Sequence, residues 1–507
     1  MSFTPLPRNP RPPSQTWDRF KRSVRKADRD SLLLRASATS AAIARGDLSE
    51  AHGKLGVTPW TIADVARTAL AWAHFQHPAA DTEVLYRLCN QNAQLVDEGL
   101  VASPESTEGL GQLLARTYFE QFPSQSSVMA AVARTILLFG SSAKYPEDFS
   151  PQAMVPGWFE AISGGLTLDD YVEAVFLISV MAQQNGGSFS PAWLEVPAFA
   201  ELEDVISFDV VRRVFTEHLL TTVPAFKDLN RVFQENVPPA QKKFAFNPLT
   251  DKPFIEGVAP LPIAPWVQAI IRKASPPAIY HFGFRKLGTG FTDDLGPVFQ
   301  HYVGRQLSLI EGDAQVIAEF KHGPTRERKD SCDWFLDLPG MLVLIECKAR
   351  QPIESLRVGG SDWMKSVQGS IGHAIGQLNR SNHSIQSMCA EDPRLDADKP
   401  RVGLVVTLEP FYVTQNWVLS EQLPKSDLPV AVLSIDELEH LTVLSADELE
   451  YSLTEAVGTA ENGLMRLAPE HALDDDRDNS LIATTWDSIG LFARVEAVKT
   501  QMETGTA

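Results

Sequence analysis

Two acidic residues and one lysine frame a pair of short apolar runs in the C-terminal half of the chain. Asp333 precedes the run 334–336, and Glu346 and Lys348 lie at the end of a nearly continuous apolar run, 341–347. Carboxylates bind divalent cations, and a lysine beside them can act on a metal-bound water. This segment is therefore the candidate for hydrolytic chemistry.

The two apolar runs predict a tight β-hairpin. The Pro-Gly pair at 339–340 forms a two-residue turn, and the second run is apolar apart from Glu346, as in a buried strand. Such a turn pairs Leu338 with Met341. Counting outward then places Asp333 opposite Glu346, with their Cβ atoms about 5 Å apart on one face.

Two facing carboxylates repel each other unless a cation or a proton lies between them. Asp333 and Glu346 can hold Mg²⁺, and Mn²⁺ is expected to substitute. Lys348 points to the same face as Glu346, roughly 7 Å along the strand, where it can orient or deprotonate a water for attack on a phosphodiester. The alternative is an ordinary ion pair between Glu346 and Lys348. Asp337 lies about 13 Å from Asp333, beside the turn, and is rejected as a ligand.

The pattern resembles the PD-(D/E)XK nuclease superfamily, which has the restriction-endonuclease-like fold. That family carries an Asp before a hairpin and Glu-x-Lys on the next strand, here Asp333 and 346–348. Cys332 stands where the family commonly has Pro, a minor departure because the Asp carries the chemistry. A second Glu-x-Lys, at 327–329, lies in a polar stretch and is interpreted as a solvated loop. The resemblance covers about 278–455.

The resemblance also implies roles for other residues. It adds the backbone carbonyl of Cys347 to the metal ligands, beside Asp333 and Glu346. The catalytic set that it implies is Asp333, Glu346, Lys348 and a glutamine on the following helix, Gln377.

Two helices are expected beside this site. The first begins near Leu295, and the family often has a metal-binding Glu where this chain has Gln300. Gln300 either holds a metal-bound water or is a surface residue, and its neutral amide argues against tight binding of a second metal. The second helix spans about 361–380 and places His373, Gln377 and Arg380 on one face. A solvated helix face is the alternative for these residues.

The composition is that of a globular protein with more than one domain. The chain has 507 residues, 44% of them hydrophobic and 21% charged. Its net charge of −19 argues against nonspecific coating of nucleic acid, but 321–380 has nine Lys and Arg against seven Asp and Glu. The four cysteines show no metal-site or disulfide spacing, and no apolar signal or membrane segment is evident. We therefore expect a cytoplasmic protein that does not enter the membrane.

The predicted fold is multidomain, with an all-α N-terminal domain and a C-terminal α/β restriction-endonuclease-like domain whose central mixed sheet is flanked by helices. The predicted segments are a Pro-rich basic leader (1–46), a helical domain (47–237), a Pro-rich linker or covering segment (238–277), the nuclease-like domain (278–455), and an acidic linker with a final helix (456–507). The leader is read as a solvated segment or surface helix, and a DNA-binding arm is its alternative.

The sequence thus predicts a Mg²⁺-dependent nuclease that hydrolyses phosphodiester bonds, with DNA favoured over RNA and internal cutting over end resection. The rival prediction is an inactive protein of the same fold that binds nucleic acid or serves as a scaffold. A homodimer or a protein partner bound through the helical domain is a further expectation. Bacterial defence or DNA repair is suggested by analogy alone.

Overall fold

A computed structural model describes residues 16–48, 50–75, 77–95, 127–235, 237, 242–351, 365, 367–412, 421, 423–467 and 477–491. The chain divides into two compact units. Unit 1 consists of Met1–Leu113, Val175–Ala200 and Val211–Lys273, and unit 2 consists of Leu114–Ala174, Glu201–Val210 and Ala274–Ala507.

Helices account for most of the regular structure in the described residues. The α-helices are α1 (Trp17–Val24), α2 (Arg29–Ala44), α3 (Glu50–Lys54), α4 (Pro59–Trp72), α5 (Thr82–Ala93), α6 (Val128–Phe139), α7 (Trp158–Ser163), α8 (Leu168–Gln184), α9 (Phe208–Arg213), α10 (Val223–Glu235), α11 (Gln268–Arg272), α12 (Pro276–Leu287), α13 (Thr289–Leu307), α14 (His373–His383), α15 (Ile385–Glu391), α16 (Ile435–Leu441), α17 (Ala446–Val457) and α18 (Ser480–Ser488). The strands are β1 (Leu220–Thr222), β2 (Phe254–Glu256), β3 (Gln315–Ala318), β4 (Lys321–His322), β5 (Lys329–Asp330), β6 (Trp334–Asp337), β7 (Leu342–Lys348), β8 (Arg401–Thr407) and β9 (Val430–Ser434).

Unit 2 contains a five-stranded mixed sheet in the order β3-β6-β7-β8-β9. The pairs β3–β6 and β6–β7 are antiparallel, whereas β7–β8 and β8–β9 are parallel. Every residue of β9 is buried, and so are the first five of β7 and the last six of β8. Continuous apolar runs of this kind are typical of strands covered on both faces. The predicted combination of helices with a central mixed sheet is confirmed at this level.

Helix α14 packs against β7 and thereby buries the apolar stripe of the helix. Ile371, Ala374, Ile375 and Leu378 have no exposed surface, and a one-turn π-helix, Gln368–Gly372, precedes the α-helix. Gly403 on β8 permits the close approach, since a Cβ there would lie 2.9 Å from the Leu378 side chain. The predicted start of this helix, 361–364, lies outside the described residues.

Helix α13 also packs against β7, and it begins earlier than the predicted Leu295. It starts at Thr289 and has Pro297 in its interior. A proline inside a helix removes one backbone hydrogen bond. Phe291, in the first turn of α13, is fully buried and anchors the helix ahead of Pro297. Further along, Gly304 leaves room for the ring of Trp334 on β6, where any Cβ would overlap that ring.

Where the structure describes it, unit 1 is helical apart from the short parallel strand pair β1–β2, which the all-α prediction lacked. The segments predicted as leader and linker contribute to its core. Phe20 and Leu33, on α1 and α2, are fully buried, and so are Leu249 and Ile255 from the Pro-rich segment. These segments join the core because the apolar residues between their charges and prolines gain free energy when they are buried. The neighbouring charges and prolines do not remove that gain.

The predicted domain boundary within 47–237 also differs from the compact units. Helix α6 belongs to unit 2, where Arg134 is 6% exposed and donates to Glu439 Oε1 at 2.7 Å. The Tyr302 hydroxyl on α13 donates to the same oxygen at 2.7 Å. A buried charge needs such partners, so this network ties α6 to the sheet unit. Helix α18 also packs on α6.

Candidate active site

The β6–β7 hairpin has the predicted register. Trp334 lies opposite Ile345, and the Leu338 amide donates to the Met341 carbonyl at 2.9 Å across the two-residue turn. One step beyond the last pair, the same register sets Asp333 against Glu346. The hairpin therefore brings both predicted acidic residues to one end of the sheet.

Asp333 is held by the backbone of the facing strand. Its Oδ2 accepts a hydrogen bond from the Cys347 amide at 2.6 Å. Burial raises the pKa of Asp333 above its ordinary value, and this amide and the Lys348 ammonium act in the opposite direction. The hydrogen bond from the Cys347 amide fixes the orientation of the Asp333 carboxylate, as a metal ligand or a base requires.

Glu346 is the most buried acidic residue of the cluster, with 1% of its surface exposed. Burial, and then the negative charge of Asp333, raise the pKa of Glu346 to about 8, while Lys348 opposes the shift. The two carboxylates thus repel each other in a poorly solvated place. A proton or a cation relieves that repulsion.

Lys348 joins the acidic pair to helix α14. Its Nζ lies 3.1 Å from Glu346 Oε2 and 2.7 Å from Gln377 Oε1, and 17% of its side chain is exposed. The structure therefore brings Gln377 together with Asp333, Glu346 and Lys348, as predicted. Gln377 accepts from the ammonium and so positions it.

Cys347 contributes through its backbone. Its amide donates to Asp333, and burial together with two neighbouring carboxylates raises the pKa of its thiol well above the ordinary value. The thiol is therefore neutral at physiological pH. The role of the Cys347 carbonyl as a metal ligand stays a prediction.

Glu319 is a neighbour of this cluster that the sequence analysis missed. It follows β3, and its amide donates to the Asp333 carbonyl at 2.9 Å. The pKa of Glu319 is raised by partial desolvation and by the Asp333 and Asp330 carboxylates, against a hydrogen bond from Gln300. That bond joins Gln300 Nε2 to Glu319 Oε2 at 3.2 Å, so Gln300 is engaged with a carboxylate. The β3–β6 register places Glu319 here, and the sequence has no short turn between these strands that would have fixed that register.

Positively charged side chains lie near His373, on the helix that carries Gln377. His373 and Arg380 are exposed on α14, and the pKa of His373 is lowered by desolvation and by the positive charges of Lys348, Arg380 and Arg350. His373 also borders an open concave surface with Gly372 and Pro424, one helical turn before Gln377. Several positive charges close together are suited to an anionic substrate.

The donor atoms fit a hard divalent cation. Mg²⁺ binds through one or two carboxylates and keeps several waters, and Asp333 and Glu346 supply two carboxylates that repel each other. Over the described residues, no group of three or more His, Cys, Asp and Glu side chains is arranged so that it could hold a metal ion. A site with two side-chain ligands, open to water and substrate, is consistent with both findings.

Among the helices that the structure describes, none has the length and apolar character needed to cross a bilayer. Comparisons of the chain with protein-family models, with curated proteins and with solved structures find no match.

Proposed function

We propose that this protein is a metal-dependent nuclease of the restriction-endonuclease-like fold that hydrolyses DNA phosphodiester bonds. The observation that carries the proposal is the contact set at the sheet end. There Asp333 and Glu346 face each other, and Lys348 bridges Glu346 to Gln377 at 3.1 and 2.7 Å. The sheet, antiparallel and then parallel, with α13 and α14 against β7, is consistent with that fold.

Each residue has a distinct role in the proposal. Asp333 and Glu346, with the Cys347 carbonyl, hold Mg²⁺ or Mn²⁺, which when bound lowers the pKa of a water and stabilises negative charge. Lys348 orients the attacking water and stabilises the charge that develops on the phosphate. Gln377 holds the ammonium in place.

DNA is favoured as substrate because the site is locally cationic in an acidic protein. The positive charges of Lys348, Arg380 and Arg350 all lie close enough to His373 to lower its pKa, while the chain carries a net charge of −19. Local positive charge is what phosphate binding requires. A cytoplasmic location, and a second copy or protein partner bound through the helical region 47–237, belong to the same proposal.

An inactive binding or scaffold protein of the same fold is the second candidate. One observation that favours it is the direct ion pair between Lys348 and Glu346. The other is Gln300, which stands where the family often has a metal-binding Glu and is hydrogen-bonded to Glu319. In that case Lys348 neutralises a buried acid and has no water to activate.

Cleavage assays separate the two candidates. Purified protein is incubated with supercoiled plasmid, linear DNA and RNA, each in Mg²⁺, Mn²⁺ or EDTA. We expect metal-dependent conversion of the closed circle, which requires internal cutting. Glu346→Gln protein should leave it intact, and Glu455→Gln, an exposed carboxylate on α17, is the matched control. Binding without cleavage in every metal would favour the inactive candidate.

A further inference from the structure

A small β-ribbon extends the strands that carry the active site. Strands β4 and β5 pair with Lys321 opposite Asp330 and His322 opposite Lys329. The connection between β3 and β6 thus contains a two-stranded antiparallel ribbon. We call residues 321–330 the basic ribbon.

The basic ribbon carries more positive than negative exposed side chains. Lys321, Arg326, Arg328 and Lys329 are exposed, as are the acids Glu327 and Asp330. Lys321 pairs with Asp330 at 3.4 Å, with both side chains more than half exposed. In the described part of the chain, no ion pair engages Arg326 or Lys329. The ribbon therefore presents two uncommitted cations to solvent.

Packing holds the base of the ribbon in place. The ring of Phe320 lies 5.8 Å from that of Phe335, and Ser331 donates its amide to the Phe320 carbonyl at 3.0 Å. His322 is 4% exposed, and its Nδ1 lies 3.4 Å from Ser387 Oγ on α15. A preorganised element loses little conformational freedom on binding.

An ion pair holds the tip of the ribbon against the same helix. Arg328 lies 3.0 Å from Glu391 and donates to the Lys321 carbonyl at 2.6 Å. Glu391 is an acidic contact that reduces the positive field on this side. Arg326 and Lys329 are left as the side chains that can reach an anion.

The ribbon begins at the acidic cluster. At the base of the ribbon, the Glu319 amide donates a hydrogen bond to the Asp333 carbonyl. Lys329 lies four residues before Asp333 in the sequence. At about 3.3 Å per residue in an extended chain, the Cα atoms of Lys329 and Asp333 are at most about 13 Å apart. That distance is within the rise of roughly four base pairs in a duplex.

We infer that the basic ribbon binds double-stranded DNA next to the cleavage site. The presence of a cleavage site there rests on the proposed function. Two strands about 4.8 Å apart, with their side chains, match the major groove, which is about 12 Å wide and admits a β-ribbon. Arg326 and Lys329 contact phosphates on the groove edge. In a protein with a net charge of −19, such a local element is needed to attract a polyanion.

The test measures DNA binding without a cleavage-competent metal. The full-length protein in EDTA is titrated into a fluorescent 20-base-pair duplex at several salt concentrations, and its anisotropy is followed. The Arg326→Ala/Lys329→Ala protein should bind about 10-fold or more weakly at 0.1 M salt. The plot of log affinity against log salt should become less steep, with the magnitude of its slope smaller by about 1.8 because two phosphate contacts are lost. Both side chains are exposed and form no ion pair with any residue that the structure describes, so we expect the variant to fold.

Lys144→Ala/Arg466→Ala is the matched control, since it removes two exposed positive charges of unit 2 outside the ribbon. It should bind like wild type. Equal binding by the ribbon variant and wild type would overturn the inference, and so would an equal loss with single-stranded DNA. Ribbon-dependent binding without Mg²⁺-dependent cleavage would refute only the nuclease proposal. Cleavage with ribbon-independent binding would refute only the ribbon.

Discussion

Replacement of Glu346 by Gln tests whether this residue is a functional carboxylate kept at a cost in stability. The folded protein holds a proton on Glu346 up to about pH 8, whereas the unfolded chain releases it near the ordinary 4.5. Between these pH values the unfolded state binds fewer protons, so the free energy of unfolding decreases as pH rises. Gln has the same shape and carries no such cost.

The expected gain follows from this difference in pKa. One pH unit corresponds to about 1.4 kcal/mol, so the interval from 4.5 to 7 gives the variant an advantage of about 3 kcal/mol at pH 7. For a unit of this size we expect the unfolding midpoint to rise by roughly 5 °C. The advantage should be small near pH 5, grow up to about pH 8 and level off above it.

Urea unfolding of both proteins in EDTA from pH 5 to 9, beside single-turnover cleavage in Mg²⁺, measures the two effects. Cleavage by the Glu346→Gln protein should fall by about 10²-fold or more. The Glu455→Gln control should change neither property. A variant less stable than wild type at every pH would refute the reasoning, because Glu346 would then be ionised as the structural partner of Lys348.

Lys348→Ala should reduce turnover by about 10²-fold and still bind Mn²⁺ by calorimetry at pH 9, since both carboxylates remain; loss of Mn²⁺ binding would refute its role in orienting water. Asp333→Asn should abolish cleavage, whereas Asp337→Asn, whose carboxylate binds a lysine at the other end of the strand, should cut at wild-type rates; the reverse result in a plasmid assay would contradict the assigned register. Arg134→Met should destabilise unit 2 by about 3–5 kcal/mol in urea, because it leaves Glu439 buried without a cation, and adding Glu439→Gln should restore most of the loss; no change in the single variant would exclude that buried pair as a stabilising contact.

Local signals in the sequence determined the acidic pair of the candidate site. A two-residue turn leaves one register for the strands beside it, so Leu338 and Met341 are sufficient to set Asp333 against Glu346. The capping boxes at Ser434 and Ser445 are equally local, because each serine exchanges hydrogen bonds with a glutamate three residues later. In each case the interacting residues lie within about a dozen positions of each other.

The rest of the site depends on contacts between residues far apart in the chain. Glu319 lies beside Asp333 only because β3 pairs with β6 across the basic ribbon, and no turn of defined length fixed that pairing beforehand. Gln377 reaches Lys348 from a helix that begins well after β7. Loop closure of such lengths leaves many arrangements open, and packing selects among them.

The division into units was likewise decided by packing. The sequence suggested breaks where prolines and charges accumulate, yet Phe20 and Ile255, inside those segments, are buried in unit 1. Arg134 belongs to unit 2 because its buried guanidinium is paired with Glu439, 305 positions away. Composition reports which residues can be buried, but burial of a charge depends on a partner that only the tertiary structure supplies.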